Sequence, residues 1–131
     1  MTIQELDQAV GACGIFYLAT VDGNEPRVRP FGFHMVYDGR LYFGGGNQKA
    51  WFREVQSNPN VEICGFSKGG FLRIRGKAVL DYSDDVQTAM YQISPGLKKG
   101  YGPNKGQLHV PFYLEELSVM GFKGAEAEKL I

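Results

Sequence analysis

The sequence predicts a mainly β domain: a small antiparallel barrel of six or seven short strands with two or three helices at its rim. Three observations lead there. Hairpin-type turns, Asp22-Gly23-Asn24, Asp38-Gly39 and Lys68-Gly69-Gly70, recur between short runs rich in β-branched and aromatic residues. Only one segment between strands, 47–57, reads as a helix of useful length, so the alternating strand–helix order of a doubly wound sheet is absent. The length of 131 residues suits one domain with one core, and 44% hydrophobic with 21% charged residues excludes a disordered chain.

Each element has its own signal. Thr2 and Glu5 form a capping-box pattern, and Ile3, Leu6, Val10 and Cys13 fall near helical spacing, predicting a helix over 3–12. The run IFYLATV (15–21) predicts a strand that the first turn closes. Residues 26–37 read as extended, with Pro30 placing them at a sheet edge or a bulge. Asp38-Gly39 joins them to the strand RLYFG. Asn47 predicts the cap of a helix through KAWFREVQS, which Asn58-Pro59-Asn60 ends. In VEICGF (61–66), Val61, Ile63 and Gly65 share one face; in FLRIRGKAVLDY (71–82), Leu72, Ile74 and Ala78 alternate with Arg73, Arg75 and Lys77. Ser83 predicts the cap of a helix over 84–93. Residues 94–107 have loop composition, strands follow near 108–114 and 117–122, and residues 125–131 read as a charged tail or helix. One domain, 1–131, holds them all.

Charge narrows the function. The net charge is zero, but residues 1–26 carry −4, residues 27–77 carry +6 and residues 78–131 carry −2. Neutrality disfavours generic nucleic-acid binding, which needs many phosphate contacts, whereas a basic middle suits one small anion. No apolar run approaches the ~20 residues of a membrane-spanning helix. With no signal-peptide layout at the N-terminus, a cytoplasmic protein without membrane contact is expected. Cys13 and Cys64 show neither CxxC nor zinc spacing, predicting buried thiols in a reducing compartment and no metal site.

Three features could carry chemistry. In GGGNQKAWF (44–52) glycines lead into a helix that begins with Asn47 and Lys49, where backbone amides and the helix dipole favour an anion; a flexible turn with a solvated lysine is the competing reading. Arg27 and Arg29 lie two apart, on one face of a strand, and make either a bidentate phosphate or carboxylate site or two solvated side chains. The row Arg73, Arg75, Lys77 reads more simply as an ion-pair ladder with Glu62 across the hairpin. No HExxH or GxSxG pattern occurs, His34 and His109 read as surface or interface side chains, and no catalytic residue is assigned. Any reactive group is expected to come from a cofactor.

The ordered series FYLATVDGNEPRVRPFGF (16–33), DGRLYFGGGNQKAWFREVQSNPNVEICGF (38–66) and LRIRGKAVL (72–80) resembles the pyridoxamine 5'-phosphate oxidase-like FMN-binding split-barrel family, in particular its short bacterial members. The resemblance runs over residues 3–122; PGLKKGY (95–101) and VPFYLEE (110–116) also sit where those members carry a Pro-Leu-Lys loop and a late strand. It implies a split barrel in which Arg27, Val28, Arg29, Pro30 and Phe31 run along the flavin and its phosphate. Tyr42, Phe43 and Gly44 would lie by the ring and ribityl chain, and Asn47, Gln48 and Lys49 would hold the phosphate. It further implies a homodimer with the cofactor at the subunit interface, the strand around Phe71 and Arg73 being lent by the partner. Gln48 stands where true pyridoxamine phosphate oxidases are often basic, Phe71 stands where the family has a polar flavin contact, and their C-terminal Arg-Leu-x-Pro segment is absent. Oxidation of pyridoxamine phosphate is therefore not expected.

The resulting expectation is an FMN-dependent oxidoreductase acting on a small molecule, with FMN ahead of deazaflavin or haem as the cofactor. A flavin or haem binding or storage protein without turnover is the second reading. An oligonucleotide-binding barrel using Arg27, Arg29, Arg73 and Phe31 is the third.

Overall fold

Thr2 starts the first helix as its pattern requires. In the computed structural model, which describes residues 1–131, its hydroxyl accepts from the Glu5 amide at 3.1 Å and the Glu5 carboxylate accepts from the Thr2 amide at 2.8 Å. The helix, α1 (Ile3–Cys13), buries Leu6 and Val10. β1 (Phe16–Asp22) and β2 (Glu25–Phe31) form an antiparallel hairpin running from Phe16↔Phe31 to Asp22↔Glu25. β3 (His34–Tyr37) and β4 (Arg40–Gly46) form the next, whose turn places Asp38 at φ 50° and Gly39 at φ 74°, the left-handed pair that favours Asp-Gly. There follow α2 (Ala50–Ser57), β5 (Asn60–Ser67), β6 (Gly70–Leu80), α3 (Asp84–Ile93), a 3-10 turn at Pro95–Lys99, β7 (His109–Lys123) and β8 (Glu126–Lys129).

The strands make one antiparallel sheet in the order β2-β1-β5-β6-β7-β4-β3, with β8 paired to β7. β2 and β3 are thus the two ends of the path, yet only Gly32 and Phe33 separate them in the chain. The sheet is rolled until its edges approach without pairing, giving a split barrel. Inside lie Phe16, Leu18, Phe43, Ile63, Ile74, Phe112 and Val119, joined by Leu6 and Val10 of α1 and by Trp51 and Val55 of α2. A second cluster, Met35, Tyr42, Val86 and Met90, packs on the other side of β3–β4 beneath α3.

The structure corrects several expectations. The extended run 26–37 is two strands at opposite ends of the sheet, broken at Gly32-Phe33. The two late strands are one, β7, bent where Glu116 takes φ 54° and where the pairing slips between Arg75↔Ser118 and Lys77↔Glu115. Gly76 faces this bulge, where a Cβ would stand 2.6 Å from the Glu115 carbonyl oxygen. The charged tail is β8, an edge strand whose charged residues Glu126, Glu128 and Lys129 discourage further pairing, so the strands number eight. Lys49, not Asn47, is the residue before α2, and Ser83 makes no side-chain cap; its amide instead donates to Asp81 at 3.0 Å. Both cysteines are free, but Cys13 is half-buried and Cys64 is exposed on the outer face of β5. No helix is long and apolar enough to cross a membrane.

Candidate functional site

β4 ends in Gly44-Gly45-Gly46, which pair with Pro111, Val110 and His109 of β7; β3 stops pairing at Phe43, so the glycines have a strand on one side only. Side chains fill the space a Cβ would need. At Gly44 it would meet His109 Cε1 at 2.8 Å and Phe33 at 3.2 Å; at Gly45, Trp51 Nε1 at 2.7 Å and Phe31 at 2.8 Å; at Gly46, Gln48 and the Tyr101 hydroxyl. The glycine run is thus required by the side chains, mostly aromatic, that crowd it.

Asn47 fastens the turn that follows. Its amide donates to the Leu108 carbonyl at 2.9 Å and its side-chain oxygen accepts from the Leu108 amide at 3.0 Å. This employs the cap predicted for α2 and ties the start of that helix to the start of β7. Gln48 donates to Tyr101 at 3.5 Å. Lys49, exposed, precedes α2 in extended conformation without a capping side chain, and the Ala50 and Trp51 amides make no backbone hydrogen bond. Lys49 has no carboxylate within ion-pair distance, and no acid stands in the first turn of α2. An unpaired cation beside uncapped helix amides is suited to an anion.

Arg29 is more constrained than its position suggests. On the inner face of β2, it donates through Nη1 to the Leu18 carbonyl at 3.3 Å and to Thr20 at 2.6 Å, and through Nη2 to Glu54. Thr20 in turn donates to Glu54 at 2.6 Å. Glu54, on α2, is 2% exposed. Burial pushes its carboxyl upward, but the hydrogen bonds from Thr20 and Arg29 and the guanidinium charge together hold it below the usual carboxylate range. Three of the five guanidinium hydrogens are thereby used, leaving Nε–H and one on Nη2 for a ligand. Arg27, on the same face, pairs with Glu25 at 2.7 Å and Asp22 at 3.4 Å. Phe31 packs edge-on to Trp51 inside the barrel, while Val28 and Pro30 point outward.

The remaining predicted residues do not join this cluster within one chain. Tyr42 and Phe43 are each 1% exposed and belong to the two cores, so only their backbone could meet a cofactor. Burial, with the hydrogen bond to Asp81 at 2.8 Å, pushes the Tyr42 hydroxyl up to about 12. Phe71 stacks on Phe122 at 4.6 Å, and Arg73 donates to Glu62 at 2.7 Å, the ion pair expected across that hairpin. Both lie on the outer sheet face, Arg73 in a row with Cys64, Tyr17 and Pro30, three strands from β2.

Two participants escape sequence reasoning. His109, read as a surface or interface side chain, is 5% exposed, wedged between Phe33 and Tyr101 with ring centroids at 5.3 and 5.2 Å. Burial, aided by the Lys49 charge, pushes its imidazole down to about 4. Tyr101, from the loop before β7, covers Gly46. Neither has a local signal; the pairing of β4 with β7 brings both to the glycines. His34, by contrast, is half-buried and pins β3 to α1 through Asp7 at 2.7 Å.

The sequence matches the family described as pyridoxamine 5'-phosphate oxidase over residues 2–119. Among solved structures, a NimC/NimA family protein from Clostridium acetobutylicum is 32% identical, with a TM-score of 0.87 over 98% of this chain and 93% of that one. A pyridoxamine 5'-phosphate oxidase-related, FMN-binding protein from Nostoc punctiforme is 19% identical, with a TM-score of 0.69 over 96% and 86% of the two chains. A FAD-binding protein from Mesorhizobium loti is 15% identical, with a TM-score of 0.62 over 94% and 96%. At these lower identities the likeness is one of fold. No curated protein matches the sequence.

Proposed function

The chain belongs to the pyridoxamine 5'-phosphate oxidase family, and on that premise we propose that it binds FMN as a homodimer and serves as a flavin-dependent oxidoreductase for a small molecule. The observation that carries the proposal is Lys49, an unpaired cation beside two free helix amides. A phosphate monoester supplies the charge and acceptors this arrangement needs. Arg29 adds up to two directed donors, and its bond to Glu54 fixes their orientation. A bound flavin supplies the redox step, exchanging electrons with a substrate at its ring. The protein's part is to bind, to orient and to shield from water.

The dimer has its own support. The outer face of the sheet exposes Tyr17, Val28 and Phe66 at 49, 68 and 71%, beside the stacked pair Phe71–Phe122. Phe66, Phe71 and Phe122 lie directly across from one another on adjacent strands. A contiguous apolar face of this kind favours burial against a partner. Packing it on a second copy would give the partner's Phe71 and the partner's Arg73 a place near the flavin.

The deciding experiment is an absorbance spectrum of the purified protein before and after FMN is added and the sample desalted. Flavin bands that survive desalting are expected. Their absence would overturn the proposal, and a Soret band in the purified protein would replace flavin with haem.

A further inference from the structure

His109 occupies the same end of the barrel as Lys49. Its ring fits there because Gly44, opposite, has no side chain. Nδ1 lies 3.1 Å from Sδ of Met90, a residue with no exposed surface. A thioether only accepts, so Nδ1 carries the hydrogen and Nε2 keeps a lone pair. Nε2 has no partner in the protein, yet the only sealed, unpartnered polar side-chain atom is the Tyr91 hydroxyl, so Nε2 reaches open space. The polar and charged groups around the ring are the Lys49 ammonium at the start of α2, the Tyr101 hydroxyl of the loop before β7 and the Met90 sulfur of α3. None is a carboxylate, and burial with the Lys49 charge keeps the ring neutral at ordinary pH.

We infer that His109 is a ligand-binding residue of this site, its Nε2 accepting a hydrogen bond from a hydroxyl or N–H that the ligand carries next to the anionic group held at Lys49. The inference rests on the phosphate reading of Lys49. It adds that the preferred ligand is a polyol phosphate and not a bare anion. The dianion of a phosphate ester, like sulfate, offers only lone pairs, which a neutral Nε2 repels, whereas a neighbouring hydroxyl donates to it. Met90 serves as a positioning residue by fixing the tautomer.

The test compares sulfate, which carries no hydrogen at neutral pH, with ribitol 5-phosphate. In histidine-15N NMR of the whole protein, the Nδ1–H tautomer is expected for His109, with Nε2 shifting on addition of ribitol 5-phosphate and far less on addition of sulfate. His109→Phe keeps the aromatic packing and removes the acceptor. It is expected to bind sulfate as the wild type does and ribitol 5-phosphate about 5- to 10-fold more weakly, the worth of one neutral hydrogen bond. Equal effects on both ligands, or none, overturn the assignment of His109 alone. Failure of both ligands to bind the wild type overturns the Lys49 reading and this inference with it. Should His109→Phe not fold, the wild-type spectrum decides, and an Nε2 resonance unmoved by ribitol 5-phosphate refutes the proposal.

Discussion

His109 should make the stability of this protein depend on pH in a window where few other groups contribute. Its imidazole is pushed from 6.5 to about 4 by burial and by Lys49. A lowered pKa means that the unfolded chain binds a proton more readily than the folded one, so the associated stability is complete above pH 6.5 and is lost as pH falls toward 4. At 1.36 kcal/mol per unit, the full loss is about 3 kcal/mol, of which about 2 kcal/mol is gone by pH 5. Glu5, Glu54 and Asp81, whose carboxyls are held below their ordinary values, surrender their contributions only below about pH 4.5. Urea unfolding between pH 8 and pH 5 measures the effect directly. The wild type should lose about 2 kcal/mol across this range, and His109→Phe, which cannot titrate, should be nearly flat. The reasoning is refuted if the variant falls as steeply as the wild type, because the slope would then belong to another group.

Three further outcomes follow from the geometry. Lys49→Ala should weaken FMN binding by about 10- to 150-fold in a fluorescence titration, the loss of one charge-assisted contact of about 1.5–3 kcal/mol; unchanged affinity would remove Lys49 from the site. In the Thr20–Arg29–Glu54 cluster, Arg29→Ala leaves a carboxylate that is 2% exposed with only Thr20 and the exposed Arg53, 3.7 Å away, and should cost about 3 kcal/mol in chemical denaturation. Glu54→Ala should cost less, because the Arg29 side chain is 22% exposed and can turn to water; the opposite order would contradict this account. Gly45→Ala, which places a methyl against Trp51 and Phe31, should lose about 1–3 kcal/mol, whereas Gly32→Ala, with open space around it, should be close to neutral.

What could be read from the sequence was set by local chemistry. The Asp38-Gly39 turn needs two left-handed residues, the α1 capping box closes within four residues, and the Glu62–Arg73 pair follows from the hairpin that Lys68-Gly69-Gly70 begins. Arg27 and Arg29 on one face needed only strand periodicity. Their partners were hidden, because Glu54 lies 25 residues from Arg29 and 34 from Thr20, on a helix whose placement over β1 no local pattern encodes. The same limit applies to the glycines. A run of three reads equally as a ligand cradle or as room for rings, and the rings come to it only through the alignment of β4 with β7. The resemblance supplied the family, but the free state of Lys49 and the burial of His109 required the fold.

β7 pairs with both β6 and β4, and nothing else joins those two strands in the sheet. Before His109 is synthesised, the chain can form only two fragments, β2-β1-β5-β6 and β3-β4, linked covalently through Gly32 and Phe33 but with no hydrogen bonds between their strands. The barrel therefore cannot assemble progressively from its N-terminus on the ribosome. Until β7 emerges, two open strand edges stand exposed, on β4 and β6, the hazard that non-local pairing imposes. The first residue of the strand that ends this interval is His109, so the end of the barrel that holds Lys49 and His109 begins to form in the same step that joins the two halves of the sheet.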